Sequence, residues 1–370
     1  MPSEPLSLGD ELGPAQILHL RDPEVGLSAI VVVDNVAAGP SIGGIRMAPD
    51  VDLDEVFRLA RAMTFKNAAA GLPHGGGKAG IIADPKRPAA EREQLVRRFA
   101  RLIRGLESYI PGPDMGTDER SMAFIHDEIG RAVGLPRVLG GIPLDEIGAT
   151  GLGLAAAADI AAPRAGIELS GARVAVQGFG AVGIHAARYL AERGARLVAA
   201  SDSRGAIENP DGLDLDALWT HKREAPVADF SGGRAIERDA VLGIDCDILI
   251  PAARPDVLGA HNADAVGAKL ILQGANIPAT DEAEARLHER GVLNIPDFIA
   301  NAGGVICASV EYHGGDESQA RAVIQSKISR NVEEVFHIMD ERGLSPRQAA
   351  IALARERVEE AMGYRTSGGF

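Results

Sequence analysis

The chain is poor in sulfur and in rings. Its 370 residues include two cysteines, Cys246 and Cys307, and aromatic residues make up 4%. Neither cysteine belongs to a C-x-x-C pair, and two cysteines cannot staple a chain this long. A disulfide framework is excluded, and free thiols in a reducing compartment are expected. The nine histidines are scattered, and no Cys/His cluster offers a metal site. No apolar run approaches the roughly 20 residues that cross a bilayer. The stretch from Met1 to Gly9 lacks the basic and apolar regions of a signal peptide. These absences point to a cytoplasmic protein without a membrane partner. Positive charge is short as well: 38 lysines and arginines stand against 52 aspartates and glutamates, for a formal net charge of −14. Such a chain suits phosphate backbones poorly, so no nucleic-acid partner is expected.

What is plentiful is small or apolar. Hydrophobic residues make up 46% and glycine contributes 44 residues. At roughly 100–200 residues per domain, two domains are expected. Residues 27–34 read as a buried strand. Asp52 or Asp54 is placed to cap a helix running to about Ala70, with Val56, Leu59, Ala60 and Met63 on one face. Residues 71–80, GLPHGGGKAG, read as a glycine-dense turn before a strand. Residues 90–107 read as an amphipathic helix, 108–117 as a Pro/Gly-punctuated segment, 118–132 as a helix and 139–150 as a hinge. Beyond the hinge, a helix at 151–162 precedes strands at 173–177, 196–201, 247–250, 269–272 and 292–295. From about Asp316 the tail is helical by period. Strands alternating with helices predict a parallel, doubly wound sheet.

The sequence R-V-A-V-Q-G-F-G-A-V-G carries a glycine fingerprint directly after a strand and at the opening of a helix. Gly178 permits a tight turn, Gly180 lets backbone approach a pyrophosphate, and Gly183 lets helix pack on sheet. The backbone of Ala181 and Val182 then opens the helix, whose N-terminus favours an anion. Asp202 follows roughly 20 residues on, where a carboxylate meets the adenine ribose hydroxyls. That carboxylate favours NAD. Arg204 keeps NADP open, although it also reads as a plain surface residue.

A second constellation carries ionisable groups. Lys66 falls three residues after Met63 on the same helix face, and Lys78 follows Gly75, Gly76 and Gly77. Asp114 sits in the Pro/Gly-rigid run Pro111-Gly112-Pro113-Asp114, and Asn301 opens N-A-G-G. Taken singly, each lysine reads as an exposed charge, Asp114 as a turn former and Asn301 as a helix start. His74, beside the glycine run, reads as structural.

Taken together, these segments resemble the glutamate/leucine/phenylalanine/valine dehydrogenase family. MTFKNAAAGLPHGGGKAGI carries the likeness, with GPSIGGIRM before it and PGPDMGT after it. The run ATG at 149–151, the fingerprint at 178–183, QGANIPAT at 273–280 and PDFIANAGGV at 296–305 extend it over roughly residues 25–365. The resemblance implies that Lys66 binds the substrate α-carboxylate and that Lys78 and Asp114 are catalytic. It implies that Thr150 and Asn301 lie near the nicotinamide and the substrate amino group. Asn276 is implied near the nicotinamide ribose, and Met63 in the lining of the nicotinamide pocket. The implied reaction is reversible, NAD(P)-dependent oxidative deamination of an L-amino acid to a 2-oxo acid and ammonia, without a metal. The implied assembly is a homo-oligomer, a hexamer or octamer.

The implied fold is α/β. Residues 1–145 form a substrate and oligomerisation domain and 146–300 a Rossmann-type dinucleotide-binding domain, while the helices of 301–370 return to pack on the first domain. Substrate choice turns on Gly39-Pro40-Ser41-Ile42-Gly43-Gly44. Glutamate enzymes carry a lysine where this chain has Ile42, and a serine where it has Ala308. A distal carboxylate buried there unpaired costs several kcal/mol. With Ile42, Gly43 and Ala308 at the substrate, an apolar side chain such as that of leucine, valine or phenylalanine is expected. Glutamate is the alternative: QGANIPAT and HERGVLNIPDFIANAGGV look closer to glutamate enzymes, and Ser41 or Arg46 offers polar atoms. A 2-hydroxy-acid dehydrogenase would share the fingerprint but want a histidine with a carboxylate partner. A non-catalytic NAD-binding protein would have no use for both lysines and Asp114.

Overall fold

In the computed structural model, which describes residues 9–365, the chain divides into two units, each with its own sheet. The first unit takes the described residues through Pro143, then Val305–Ala320 and the chain from Ile351 on. The second takes Leu144–Gly304 and Arg321–Ala350.

The first unit runs β1 (Gln16–Asp22), β2 (Leu27–Asn35), β3 (Ser41–Ala48), α1 (Leu53–Ala69), β4 (Gly76–Ile82), α2 (Ala89–Leu102), β5 (Tyr109–Pro113) and α3 (Glu119–Ile129). Its sheet has the order β1-β2-β4-β3-β5. β1 and β2, and β2 and β4, pair antiparallel, while β3 is parallel to both β4 and β5. Side chains alternate across a sheet. One face therefore sends Val31, Val33, Ile45, Met47, Ala79 and Ile81 against Leu95, Phe99, Met122 and Ile125 of α2 and α3. The other sends Ile30 and Val32 against Val56 and Ala60 of α1. Asp52 caps α1, accepting the Glu55 N–H at 2.8 Å, and Asp54 lies in the first turn. Arg357, from α11 (Pro346–Gly363), closes the other end by donating to the carbonyls of Ala68 and Ala69.

Two expectations change here. The glycine-dense turn ends at Gly75, and Lys78 lies within β4. The reason is close packing: a Cβ at Gly76 would stand 2.0 Å from the Thr64 nitrogen of α1, and one at Gly75 would stand 1.7 Å from the Asn35 carbonyl. The glycines thus admit protein backbone at close range. The Pro/Gly segment 108–117 contains a strand, β5, which tolerates Pro111 and Pro113 because it pairs on one side only.

The second unit contains α4 (Ala149–Arg164), β6 (Arg173–Gln177), α5 (Ala181–Ala191), β7 (Arg196–Asp202), β8 (Gly205–Glu208), α6 (Leu215–Lys222) and β9 (Arg234–Ile236). There follow β10 (Ile248–Pro251), β11 (Leu270–Leu272), α7 (Asp281–Glu289), β12 (Leu293–Ile295) and α8 (Asp297–Ala300). Its sheet has the order β12-β11-β10-β6-β7-β8-β9. The five strands from β12 to β7 are parallel, as a Rossmann-type sheet requires. β8 and β9 add an antiparallel edge that periodicity does not reveal, because both are very short.

The remaining helices, α9 (Gly303–Tyr312), α10 (Glu317–Arg342) and α11, each pass from one unit into the other. The segment 301–370, expected to return to the first domain, is shared between the two units. Its middle belongs to the second unit because Arg347 is ion-paired there with Glu284 (2.6 Å) and Asp297 (2.8 Å), and Arg164 bonds Asp340. Among the described residues, no helix is long and apolar enough to cross a membrane, and no cluster of three or more His, Cys, Asp or Glu side chains is disposed to hold a metal ion. Both cysteines are buried free thiols.

Candidate active site

In the first unit, the sheet face turned to α1 gathers the ionisable groups. Lys78 projects from β4 and Arg46 from β3, and Asp114 follows the last residue of β5. One carboxylate oxygen of Asp114 meets both cations: Lys78 Nζ lies 3.1 Å from Oδ2 and Arg46 Nε 3.0 Å from it. Arg46 also pairs with Glu55 of α1. Asp114 is held from its backbone as well. Its N–H donates to Thr117 Oγ1 at 3.0 Å, and that hydroxyl donates to the Ile45 carbonyl at 2.8 Å. Gly44 makes room, since a Cβ there would stand 2.7 Å from Asp114 Cβ. Lys78 is 5% exposed. Burial pushes its pKa below the usual lysine value against the pull of Asp114, and Arg46 pushes the same way as burial. Lys66, in the last turn of α1, and Met63 one turn before it are half-buried.

Two of the residues expected near a substrate side chain, Ile42 and Ala308, lie in one buried apolar cluster with Ile110 and Val133. Ile42, Ile110, Val133 and Ala308 are buried against one another, with Ile42 beside Ile110 across β3 and β5. The adjoining Gly43 is glycine because β4 passes close: a Cβ there would stand 1.6 Å from the Gly77 carbonyl. The two polar groups near Ile42 are engaged elsewhere. Ser41 Oγ, fully buried, donates to the Ser108 carbonyl at 2.8 Å, and Arg46 is committed to Asp114 and Glu55. Val133 is fixed by the chain around it. Its N–H donates to the Pro111 carbonyl, and Glu311 of α9 accepts the N–H groups of Leu135 (3.0 Å) and Ile142 (2.9 Å). His74 is buried, with Nδ1 3.1 Å from the Pro40 carbonyl and its ring against Tyr312 and His313. Burial lowers its pKa to about 4.

In the second unit the fingerprint glycines take three distinct situations. Gly178 holds φ +96°, and a Cβ there would stand 2.7 Å from the Ala253 nitrogen. At Gly183 a Cβ would stand 2.2 Å from the Gly178 carbonyl. At Gly180 it would meet open space. Gly180 caps α5 without any side-chain hydrogen bond to the first turn, so the N–H groups opening at Ala181 and Val182 face outward unclaimed by a cap. That is a cradle for an anion. Near the carboxyl ends of β10 and β11, Asn301 is buried and donates Nδ2 to the Gly274 and Ala275 carbonyls and to Asn276 Oδ1 at 3.2–3.3 Å. Its own Oδ1 is buried without a partner, an acceptor awaiting a donor. Thr150 Oγ1 lies 3.5 Å from where a Gly304 Cβ would be. Ile277, next to Asn276, holds φ +48°, a conformation that costs a β-branched residue on the order of 1–3 kcal/mol. It persists because its N–H donates to Asp297 (2.9 Å) and its carbonyl accepts from Asp256 (3.0 Å). An open cradle and an orphaned amide oxygen fit a nicotinamide dinucleotide.

Asp202 ends β7 as anticipated, but its carboxylate is occupied from within. It accepts the Arg204 N–H at 2.8 Å and the Val227 N–H at 3.2 Å, and pairs with Lys222 Nζ at 2.8 Å. Burial raises its pKa, but the lysine and the two N–H groups outweigh that and leave it below the usual aspartate value.

The sequence reading missed Lys222 and Arg46 in these roles. For Lys222 there was no signal, since its partner lies far along the chain. For Arg46 there was one: period-2 alternation in β3 puts it on the face of Lys78.

A family model described as "Glutamate/Leucine/Phenylalanine/Valine dehydrogenase" matches residues 140–366, and one described as "Glu/Leu/Phe/Val dehydrogenase, dimerisation domain" matches residues 14–131. A glutamate dehydrogenase of Aeropyrum pernix is 40% identical over 356 residues, covering 90% of this chain and 85% of that protein. An NADP-specific glutamate dehydrogenase of Saccharolobus shibatae is 39% identical over 350 residues, covering 89% and 82%. Among solved structures, the hetero-hexameric glutamate dehydrogenase of Thermus thermophilus in its Leu-bound form superposes with a TM-score of 0.86 at 33% identity, covering 96% of this chain and 91% of that one. The L-tryptophan dehydrogenase of Nostoc punctiforme superposes with a TM-score of 0.74 at 28% identity, covering 95% and 98%.

Proposed function

The chain belongs to the glutamate/leucine/phenylalanine/valine dehydrogenase family and is an NAD(P)-dependent amino-acid dehydrogenase, and on that footing we propose that it deaminates an L-amino acid with an apolar side chain. The products are the 2-oxo acid and ammonia, and the reaction runs in either direction. One observation carries the choice of substrate: the wall of Ile42, Ile110, Val133 and Ala308 has no polar side chain, and neither Ser41 nor Arg46 is free to serve it. A carboxylate pressed against that wall would be desolvated and unpaired.

In this reading Lys66 holds the substrate α-carboxylate by charge. A nicotinamide dinucleotide held at Gly178, Gly180 and Gly183 would supply the hydride acceptor. Asn301 Oδ1 and Asn276 would orient the nicotinamide end of the cofactor. Lys78, whose burial favours the neutral amine, takes a proton from the water that adds to the imine carbon. Asp114, hydrogen-bonded to Lys78, first takes a proton from the substrate ammonium and later returns it to the nitrogen of the carbinolamine; ammonia then leaves as the hydroxyl proton passes back to Asp114, giving the 2-oxo acid. Arg46 holds the Asp114 carboxylate in place throughout.

A second reading, L-glutamate, is favoured by kinship: the curated relatives named above are glutamate dehydrogenases at about the 40% level. Kinship follows the whole chain, whereas substrate choice follows a few contacts. A panel of L-amino acids assayed with NAD and with NADP separates the two, and predominant turnover of glutamate overturns the apolar reading. The 2-hydroxy-acid reading finds no support at His74, which is buried against a carbonyl and two rings. We place the enzyme in the cytoplasm, in keeping with its free thiols, and as a homo-oligomer of six or eight chains. A single sedimenting species of monomer mass would remove the latter.

A further inference from the structure

We infer that Lys222 is the residue that fits the adenine-ribose end of the cofactor site to a 2′-phosphate and so sets how this chain divides between NADP and NAD. The inference rests on the dinucleotide assignment of the second unit and is independent of which amino acid is turned over.

An aspartate at the end of the second strand ordinarily selects NAD in two ways: it accepts hydrogen bonds from the ribose hydroxyls, and it repels a phosphate. Asp202 is compromised on both counts. Its side chain is 6% exposed, and its oxygens already serve Arg204 N–H, Val227 N–H and Lys222 Nζ. The repulsion is offset because the Lys222 ammonium stands 2.8 Å away and neutralises the pair. An ammonium has three donors, and one is spent on Asp202. Lys222 keeps 22% of its side chain exposed, at the end of α6.

The turn geometry adds to this. Asp202 pairs with Gly205 across the β7–β8 hairpin, so Ser203 and Arg204 are the two central residues of a tight turn. The bond from Arg204 N–H to Asp202 fixes that turn, and both side chains between are exposed. Ser203 and Arg204 thus follow directly on the carboxyl end of β7, where the Asp202 carboxylate is already paired with Lys222. Guanidinium and ammonium groups are the usual partners of phosphate.

The test uses the full-length chain, with binding as readout. Titration calorimetry compares adenosine 2′,5′-bisphosphate with 5′-AMP, and NADP with NAD, on wild type, Lys222→Met and Lys222→Arg. Methionine keeps the aliphatic stem without the charge. Wild type is expected to bind the bisphosphate at least as tightly as 5′-AMP. Lys222→Met should lose about 10- to 100-fold toward the bisphosphate and NADP, the span of one charge-assisted hydrogen bond, with 5′-AMP and NAD changed less than threefold. Lys222→Arg should restore most of the loss. Equal weakening of both nucleotides in Lys222→Met would reduce the lysine to a structural prop and overturn the inference. So would a wild type that binds 5′-AMP but rejects the bisphosphate. Failure of wild type to bind either nucleotide would remove the cofactor site itself, whereas a wrong substrate assignment leaves every one of these titrations unchanged.

Discussion

Replacing Ile42 by lysine tests the substrate reading most directly. Ile42 is 3% exposed, and its neighbours Ile110, Val133 and Ala308 are 0%, 1% and 8% exposed. An ammonium placed there has no anion to meet, because Asp114 is already shared by Lys78 and Arg46. A buried charge left without a partner costs about 3–5 kcal/mol, so the free variant should unfold earlier than wild type. L-Glutamate brings the missing anion. A hydrogen bond between charged groups contributes about 1.5–3 kcal/mol, and each 1.4 kcal/mol is tenfold. The ratio of kcat/KM for glutamate to that for leucine should therefore rise about 10- to 150-fold in Ile42→Lys. Ala308→Ser should raise it by a smaller factor, without the folding cost, and should add to the first change. Initial rates of NAD(P)H formation for both substrates across the four proteins give the ratios, and thermal unfolding with and without glutamate gives the recovery of stability. Wild type that already prefers glutamate would refute the reasoning. So would a folded Ile42→Lys, alone or with Ala308→Ser, whose ratio stays where it was.

Removing Arg46 as Arg46→Gln takes away a cation that holds the Lys78 pKa down and frees Asp114 to pair with Lys78 alone. The lysine-dependent limb of the pH profile of kcat/KM should move to higher pH, with Arg46→Lys moving it less; an unmoved limb contradicts the coupling. Gly180→Ala should leave thermal stability unchanged, because its Cβ meets open space, yet weaken NAD binding by about tenfold, ~1.4 kcal/mol. Gly183→Ala should destabilise the fold instead, by about 1–3 kcal/mol or more, because its Cβ meets the Gly178 carbonyl. His74 has a folded pKa of about 4 against 6.5 in the unfolded chain. The unfolded chain therefore binds the extra proton first, so this stability is complete above pH 6.5 and is lost as pH falls toward 4. Urea unfolding should show a loss on the order of 2–3 kcal/mol over that window, and His74→Asn should flatten it. Glu311→Gln removes one of the two oxygens that accept the Leu135 and Ile142 N–H groups and should cost about 1–3 kcal/mol in the same assay.

The cofactor half of the molecule was the more legible in sequence. Strand, glycine turn and helix there are consecutive, and Gly183 has a steric reason at short range in the Gly178 carbonyl. β6 falls where RVAVQ predicts it, and Asp202 ends the next strand. The other half was legible only through resemblance. Spacing does not bring Lys78 to Asp114, because β3 lies between β4 and β5 in the sheet while β3 precedes both in the chain. The run Gly75–Gly77 suggested a turn because local propensity cannot register Thr64 of α1 pressing on Gly76. The edge hairpin β8–β9 is too short to show alternation. Asp202 ends β7, but its carboxylate is paired with Lys222, a partner that composition and period do not announce.

The first unit is written in three separate stretches of chain, and that limits how the protein can be taken apart. A cut after Pro143 would leave Ile42 without Ala308, the 134–142 loop without Glu311, and the last turn of α1 without Arg357. The cofactor half likewise loses Arg347 and Asp340 if the tail is removed. Neither half is a cassette that one boundary can excise. A chimera that exchanges cofactor preference between relatives must graft Leu144–Gly304 together with Arg321–Ala350, in register, through three continuous helices.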